Sequence, residues 1–148
     1  MDQKFFSSAR LLGQDAEKLF RNEQFEQSIG VTYVANCYLM FLLNGELSDV
    51  DAQAEANLVA SRANPTVRPF FSQSIAFARA GLDRMTTNPL AAKAAFKLAE
   101  LYYLFATHWE PADDDEPTRQ QFAELSGLIE RQSAVVEKTV VVYACAKT

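Results

Sequence analysis

Apolar residues recur along this 148-residue chain at three- and four-residue steps, the spacing of one face of an α-helix. Phe5, Ala9, Leu12 and Leu19 follow this spacing, so the sequence predicts an amphipathic helix over residues 3–20. A second helix opens near residue 23 and is apolar on almost every side over residues 31–43, with Asn36 as the interruption. A helix of that kind is typical of the middle of a bundle.

Gly and Pro mark the ends of the next elements. Asn44-Gly45 ends the second helix, and Ser48 with Asp51 resembles a capping box that opens a third helix over residues 49–61. Asn64-Pro65 ends that helix, because the residue before proline avoids the helical region. Pro69 and then Asn88-Pro89 indicate the starts of a fourth and a fifth helix.

The remaining chain predicts two more helices. Alanines at 91, 92, 94, 95 and 99 permit close packing of the fifth helix. Pro117 begins a sixth helix that runs to Ile129. Residues 133–146 are rich in Val and Thr, which also suit a strand, but a strand without a partner is unstable, so we predict a seventh helix. The sequence thus predicts one all-α domain over residues 1–148, a bundle of about six to seven helices.

Composition narrows the classes of function. A hydrophobic content of 49% supports one core of ordinary size, and the net charge of −5 opposes binding to nucleic acid. No apolar run reaches the roughly 18 residues of a membrane span, and the N-terminus lacks the apolar core of a secretory signal. We therefore expect no membrane insertion and a cytoplasmic location. Cys37 and Cys145 are far apart among apolar residues, which predicts buried free thiols.

Two acidic sets follow tyrosine-containing helices with the same spacing. Every member of one set lies 64 positions from its counterpart, and the helices before them read Tyr38-Leu39-Met40-Phe41 and Tyr102-Tyr103-Leu104-Phe105 at that offset. The sets are Glu46, Asp49 and Asp51, and Glu110, Asp113 and Asp115.

Oxygen-rich turns of this kind suit Ca²⁺ or Mg²⁺ rather than zinc, and Asn44 and Ser48 could add neutral oxygens to the first set. An alternative explanation stays open, in which Ser48 caps a helix and the acids complement its dipole. In the second segment Pro111 replaces Leu47, and the run from Asp113 to Glu116 is also typical of a solvated loop.

The segment Asn44-Gly45-Glu46-Leu47-Ser48-Asp49-Val50-Asp51 resembles the Asp-Gly-x-(Ile/Val)-Ser-x-x-Glu signature of the TerB-like tellurite-resistance family, with Asn44 in place of its first Asp. The similarity extends over residues 31–85. The resemblance implies an all-α bundle of about seven helices with an acidic face. It also implies a cytoplasmic role in the response to stress or tellurite through a divalent cation or a protein partner. Cation-facing oxygens would then belong to Asn44, Glu46, Ser48 and Asp51.

Two other functions compete with this one. The pairs Glu23/Glu26 and Glu46/Asp49 match the ExxE…ExxD pattern of MazG-like nucleotide pyrophosphohydrolases, whose chemistry needs both pairs inside helices. No glycine-rich phosphate loop or nucleophile motif is present. A plain protein-interaction module is the second alternative, since some aromatic residues could form a partner or dimer surface. These aromatics are Phe5, Phe6, Phe20, Phe25, Phe70, Phe71 and Trp109.

The sequence therefore predicts a non-enzymatic acidic helical binding domain that resembles TerB-like proteins. Its expected ligands are Ca²⁺ or Mg²⁺ at the acidic turns, a protein partner, or a second copy of the chain.

Overall fold

The structure is a computed structural model that describes residues 5–43, 69–109 and 116–147, all of which are helical apart from two short turns. We number its five helices in chain order. They are α1 (Phe5–Arg21), α2 (Phe25–Leu43), α3 (Pro69–Arg84), α4 (Pro89–Trp109) and α5 (Glu116–Lys147). The all-α class is confirmed.

A tight turn joins α1 to α2 and reverses the chain. The amide of Gln24 donates to the carbonyl of Leu19 at 2.9 Å, and the amide of Glu23 donates to the carbonyl of Phe20 at 3.0 Å. These two bonds form a Schellman motif, which closes a helix with one residue in the left-handed conformation. Glu23 occupies that position with a φ of 63°. The break expected next to Asn22 is thus confirmed, with Glu23 as the residue that turns the chain.

A second hairpin joins α3 to α4 and starts its helices at the predicted prolines. Pro69 is the first residue of α3, and Pro89 is the first residue of α4. The side chain of Asn88 caps α4, because its Oδ1 accepts the amide of Ala91 at 3.2 Å. Both helix starts agree with the sequence prediction. Proline lacks a backbone N–H, and at the first helical position that group would have no acceptor within the helix.

One buried serine bridges the two helices of each hairpin. Ser28 Oγ donates to the carbonyl of Ala16 at 2.8 Å, and Ser74 Oγ donates to that of Ala99 at 2.7 Å. Each hydroxyl is buried and meets a backbone oxygen of the facing helix. Each bond stabilises the fold by about 1 kcal/mol and favours one register of the hairpin.

Helix α4 lies at the centre of the described bundle. It packs against all four other helices, and its alanines at 91, 92, 94, 95 and 99 are buried, as predicted from sequence. The expectation that the second helix occupies the middle is wrong, because α2 packs mainly on α1 and α4 and leaves one face in solvent. Uniform apolarity predicts burial on every side of the helix, whereas α2 is covered only on its inner side.

The C-terminal part of the chain is one helix rather than two. The sixth and seventh predicted helices are joined in α5, because residues 130–132 (Glu-Arg-Gln) all favour helix and no Gly or Pro interrupts them. Five helices are described against the six to seven predicted, and the third predicted helix, residues 49–61, lies outside the described residues. None of the five helices is both long enough and apolar enough to cross a bilayer.

The 64-residue offset of the acidic sets extends to the helices themselves. Helix α3 begins at residue 69 against residue 5 for α1, and α4 begins at residue 89 against residue 25 for α2. The same offset pairs Phe6 with Phe70 and Ala35 with Ala99, and all four side chains are buried. The bundle thus contains one helical hairpin built twice in tandem, with α5 packed on the second copy.

Candidate functional site

The eight predicted cation ligands lie outside the described residues. Asn44, Glu46, Ser48, Asp49 and Asp51 fall in residues 44–68, and Glu110, Asp113 and Asp115 fall in residues 110–115. The helices that lead into them are described, however. Since α1 runs antiparallel to both α2 and α4, these two helices are parallel and end at the same end of the bundle. Both acidic segments therefore follow from that end.

Within the described helices, no three His, Cys, Asp or Glu side chains converge on a point that could hold a metal ion. The first pair of the hydrolase pattern, Glu23 and Glu26, does not lie within one helix as that chemistry requires. Glu23 lies in the turn between α1 and α2, while Glu26 lies inside α2, and both are exposed. That chemistry requires the two carboxylates on one helix face, and a residue at a φ of 63° is not part of a helix.

A partly buried carboxylate of α1, that of Glu17, meets Tyr102 of α4. Tyr102 donates its hydroxyl to Glu17, and burial raises the pKa of the Glu17 carboxyl, opposed by the charge of Arg21 and by this hydrogen bond. Burial, reinforced by the charge of Glu17, also raises the pKa of the Tyr102 hydroxyl. The tyrosine ring is stacked on Phe77 with centroids 5.9 Å apart.

Gly13 makes room for this contact. A Cβ at residue 13 would lie 3.4 Å from the Tyr102 hydroxyl and 3.1 Å from Leu101 Cδ2. Neither Glu17 nor Tyr102 lines the cleft between α2, α4 and α5 or the groove between α3 and α5. We therefore assign the pair a structural role, which is to fix α1 on α4.

The aromatic residues singled out from sequence are core rather than surface. Phe6, Phe20, Phe70 and Phe71 are all buried, and Phe25 is partly buried against them. Edge and stacked contacts join them, as between Phe6 and Phe105 at 5.2 Å. The alternative in which some of these aromatics form a partner surface does not hold for these five, because they lie in the core or against it. The side chains of Phe5 and Trp109 are not among the described ones.

An exposed apolar surface is instead carried by the outer face of α2. Tyr33 is 69% exposed, and Val34, Met40 and Phe41 are each exposed by close to half. Cys37 is also exposed, so the predicted burial of this thiol is wrong, and Cys145 lies outside the described side chains. We define the outer face of α2 by Gly30, Tyr33, Val34, Cys37, Met40 and Phe41.

Two features separate this face from the solvent side of an ordinary surface helix. From residue 27 to residue 43 α2 contains no charged side chain, although the solvent side of a surface helix is normally charged. The second feature is that the equivalent positions of the second hairpin are buried. Residues 34, 37 and 41 correspond to Leu98, Leu101 and Phe105, which are all 0% exposed. Helix α1 contacts two of them, since Phe6 packs on Phe105 and Gly13 lies next to Leu101.

A cleft of about 310 Å³ opens between α2, α4 and α5. Its walls combine the apolar side chains of Leu104 and Ile129 with the ring of Tyr103 and several polar groups. Asn36 lies in the wall, and its Oδ1 is buried without a hydrogen-bond donor. Glu100 and Glu130 line the same cleft.

A second groove, of about 320 Å³, lies between α3 and α5. Phe71, Ile75 and Leu128 form its apolar floor, with Arg79 and Glu124 at its edges. This groove contains charged groups of both signs, so it has no electrostatic preference of the kind seen in the Asn36 cleft.

Comparison of the chain with family models, with curated proteins and with solved structures gives no match. Sequence reasoning missed the outer face of α2 and the Asn36 cleft, although each left a signal. These signals were a helix without charges and one amide inside an otherwise apolar stretch.

Proposed function

We propose that this chain is a non-enzymatic helical binding protein that works as a homodimer through the outer face of α2. The observation that supports the proposal is the exposed, uncharged apolar face at Tyr33, Cys37 and Phe41. Contiguous apolar surface of this kind is typical of interaction sites.

The charge distribution of the molecule favours a second copy of the chain as the partner that covers the outer face of α2. The whole molecule has a net charge of −5, so two copies repel each other over most of their surface. The outer face of α2 contains no charge, and a face that meets itself across a two-fold axis brings no like charges together there.

The size of the face agrees with a small dimer interface. With about 200 Å² for a fully exposed aromatic side chain, the exposed fractions leave roughly 400 to 500 Å² per copy. Two copies therefore remove roughly 800 to 1,000 Å² from water before rim residues are included. The smallest specific interfaces bury about 1,000 Å².

The shape of the face also permits close helix packing. A Cβ at Gly30 would meet no atom within 4 Å, and Cys37 is a small residue near the middle of the face. In an antiparallel α2–α2 contact, the two-fold axis passes near Cys37, and Tyr33 of each copy packs toward Met40 and Phe41 of the other. This geometry brings the two Cys37 thiols close together.

Sedimentation over a range of concentrations tests the dimer. We expect a reversible dimer that Tyr33→Glu or Met40→Glu weakens at least about tenfold, because each places a charge in the apolar contact. Leu11→Glu is the matched control, since Leu11 is 60% exposed on α1 and lies off this face. A monomer at every concentration, or an equal effect of Leu11→Glu, would contradict the proposal.

Cross-linking tests the two-fold geometry separately. In a Cys145→Ser background, mild oxidation should join two chains through Cys37, and Cys37→Ser should abolish this product. A dimer that sediments normally but does not cross-link would show a contact through another face, and would remove α2 from the proposal.

The role in the response to stress or tellurite rests on the resemblance of residues 44–51 to TerB-like proteins. Binding of a divalent cation by the acidic segments belongs to the same proposal. It is supported by their matched spacing and by the parallel helices α2 and α4, from whose common end both segments follow. The dimer does not depend on it, because no residue of the outer face of α2 belongs to either acidic segment.

A further inference from the structure

The cleft between α2, α4 and α5 has the dimensions of a site for a very small ligand. Its volume of about 310 Å³ lies at the lower end of the range for ligand pockets, roughly 300 to 1,000 Å³. Leu104, Ile129 and the ring of Tyr103 supply the apolar part of its wall. A few polar groups among apolar walls are the usual arrangement of a specific pocket.

The charged groups that the described residues contribute to this cleft are all anionic. Glu100 and Glu130 contribute carboxylates, and no Lys or Arg is among the described residues that line it. Lys97 lies nearby, but its Nζ is 3.7 Å from Glu100 and 3.9 Å from Glu137, so it is shared between two carboxylates. Ser133 Oγ donates to Glu100 Oε1 at 3.0 Å and fixes that side chain.

Asn36 provides the observation that points to a ligand. Its Oδ1 is buried and accepts no hydrogen bond. A buried acceptor without a donor destabilises the fold, and such groups are uncommon in folded proteins. Asn36 lines the cleft, and rotation of its amide toward the cleft would let this oxygen accept a hydrogen bond from an N–H donor of a ligand.

We propose that this cleft binds a small organic cation, namely a primary ammonium group with a short apolar tail. The ammonium carries three donors and no acceptor, which matches an amide oxygen and two carboxylates. Tyr103 lines the cleft and offers an aromatic ring for a cation–π contact, and the tail packs on Leu104 and Ile129. Anions are disfavoured by the carboxylates.

Calorimetric titration of the full chain tests the site with two probes, propylammonium and benzylammonium. We expect saturable binding of one ammonium per chain. The alcohols of the same shape, propanol and benzyl alcohol, should bind at least about tenfold more weakly, because a charge-assisted hydrogen bond and the cation–π contact are lost.

Two substitutions assign the binding to this cleft. Glu130→Gln should weaken benzylammonium at least about tenfold without affecting folding, since Glu130 is exposed. Glu124→Gln is the matched control, as it removes the same charge from an exposed residue of the same helix that lines the other groove. Equal weakening by both would show attraction by net charge alone and would overturn the proposal.

Asn36→Leu separates binding from stability. It removes the unsatisfied oxygen, so the melting temperature of the free protein should rise, while ammonium affinity should fall at least about tenfold. Binding that survives this substitution, or alcohols that bind as tightly as the ammonium compounds, would also overturn the proposal. These measurements are independent of the dimer, because Tyr33→Glu and Met40→Glu leave the cleft residues unchanged.

Discussion

At the scale of single residues, Glu23 adopts a backbone conformation that lowers the stability of the fold. Its φ of 63° is left-handed, a conformation that costs an L-residue about 1–2 kcal/mol. Glycine avoids that cost but loses about 0.5–1 kcal/mol more backbone entropy on folding. We predict that Glu23→Gly raises the free energy of unfolding by about 0.5–1 kcal/mol, measured by chemical denaturation.

The same substitution three residues later serves as the control. Glu26 lies inside α2, where glycine costs up to about 1 kcal/mol, so Glu26→Gly should lower the free energy of unfolding. If the two substitutions change stability in the same direction, the Schellman turn does not set the effect.

Glu17 predicts a dependence of stability on pH. Burial raises its pKa in the folded protein above the ordinary value of 4.5, so the folded state holds this proton to higher pH than the unfolded state does. The contribution of Glu17 to stability is complete below pH 4.5 and is lost as the pH rises through the folded pKa. Glu17→Gln should therefore lose less stability than the natural chain between pH 4.5 and neutrality.

Denaturation curves across that range measure the effect. Tyr102→Phe provides a second variant, because the hydroxyl of Tyr102 lowers the pKa of Glu17, and its removal should move the loss of stability to higher pH. Parallel pH profiles for the natural chain and Glu17→Gln would contradict the raised pKa.

At the scale of helices, Gly81 sets how closely α3 packs on α4. A Cβ there would lie 2.8 Å from two ring atoms of Phe96, a side chain that is only 1% exposed. We predict that Gly81→Ala lowers the free energy of unfolding by about 1–3 kcal/mol, because the ring cannot move without disturbing the core. Urea denaturation with an unchanged m-value would measure this.

Gly127 on α5 is the matched control for Gly81. The nearest atom to a Cβ there is Nη1 of Arg131 at 3.2 Å, the flexible end of an exposed side chain. Gly127→Ala should therefore raise stability by up to about 1 kcal/mol through helix propensity. Equal effects at the two positions would mean that the Phe96 contact does not set the helix spacing.

The helix boundaries could be read from sequence wherever one residue type decides them. Pro69 and Asn88-Pro89 start helices because of their own covalent geometry, so no knowledge of the fold is needed. The orientation of α2 could not be read in this way. Its apolar residues surround the whole helix, so their spacing favours no side, and its exposed face depends on where α1 and α4 lie.

The candidate sites show the same limit. Asn36 is visible in the sequence as a lone amide in an apolar stretch, but Glu100 and Glu130 join it only because α4 and α5 pack beside α2. The continuity of α5 was also missed, since a change from mixed to Val-rich composition at residue 133 resembles a boundary although no residue there breaks a helix.

At the scale of the whole molecule, the parallel helices α2 and α4 end at the same end of the bundle, and an acidic segment follows each of them in the sequence. We predict that Ca²⁺ or Mg²⁺ raises the melting temperature, by an amount equivalent to about 2.7 kcal/mol when the free ion reaches a hundred times its dissociation constant. Glu46→Gln and Asp51→Asn should abolish the shift, and Asp113→Asn tests the second set.

Glu26→Gln is the control for that titration, since it removes one exposed charge from the first turn of α2 and belongs to neither acidic set. No shift at millimolar metal in the natural chain would contradict cation binding and leave helix capping as the explanation of the acids.

The 64-residue step between the two hairpins has a consequence for the history of the chain. Duplication and fusion of a gene for one hairpin would leave this pattern, in which α1–α2 and α3–α4 keep their order and nearly their lengths (17 and 19 residues against 16 and 21) while few residues still agree. In such a fusion the two halves cease to be equivalent. One half supplied the central helix and lost its outer surface to the core, whereas the other kept its second helix open to solvent. The outer face of α2 would then correspond to the surface through which the ancestral hairpin packed against a second copy of itself.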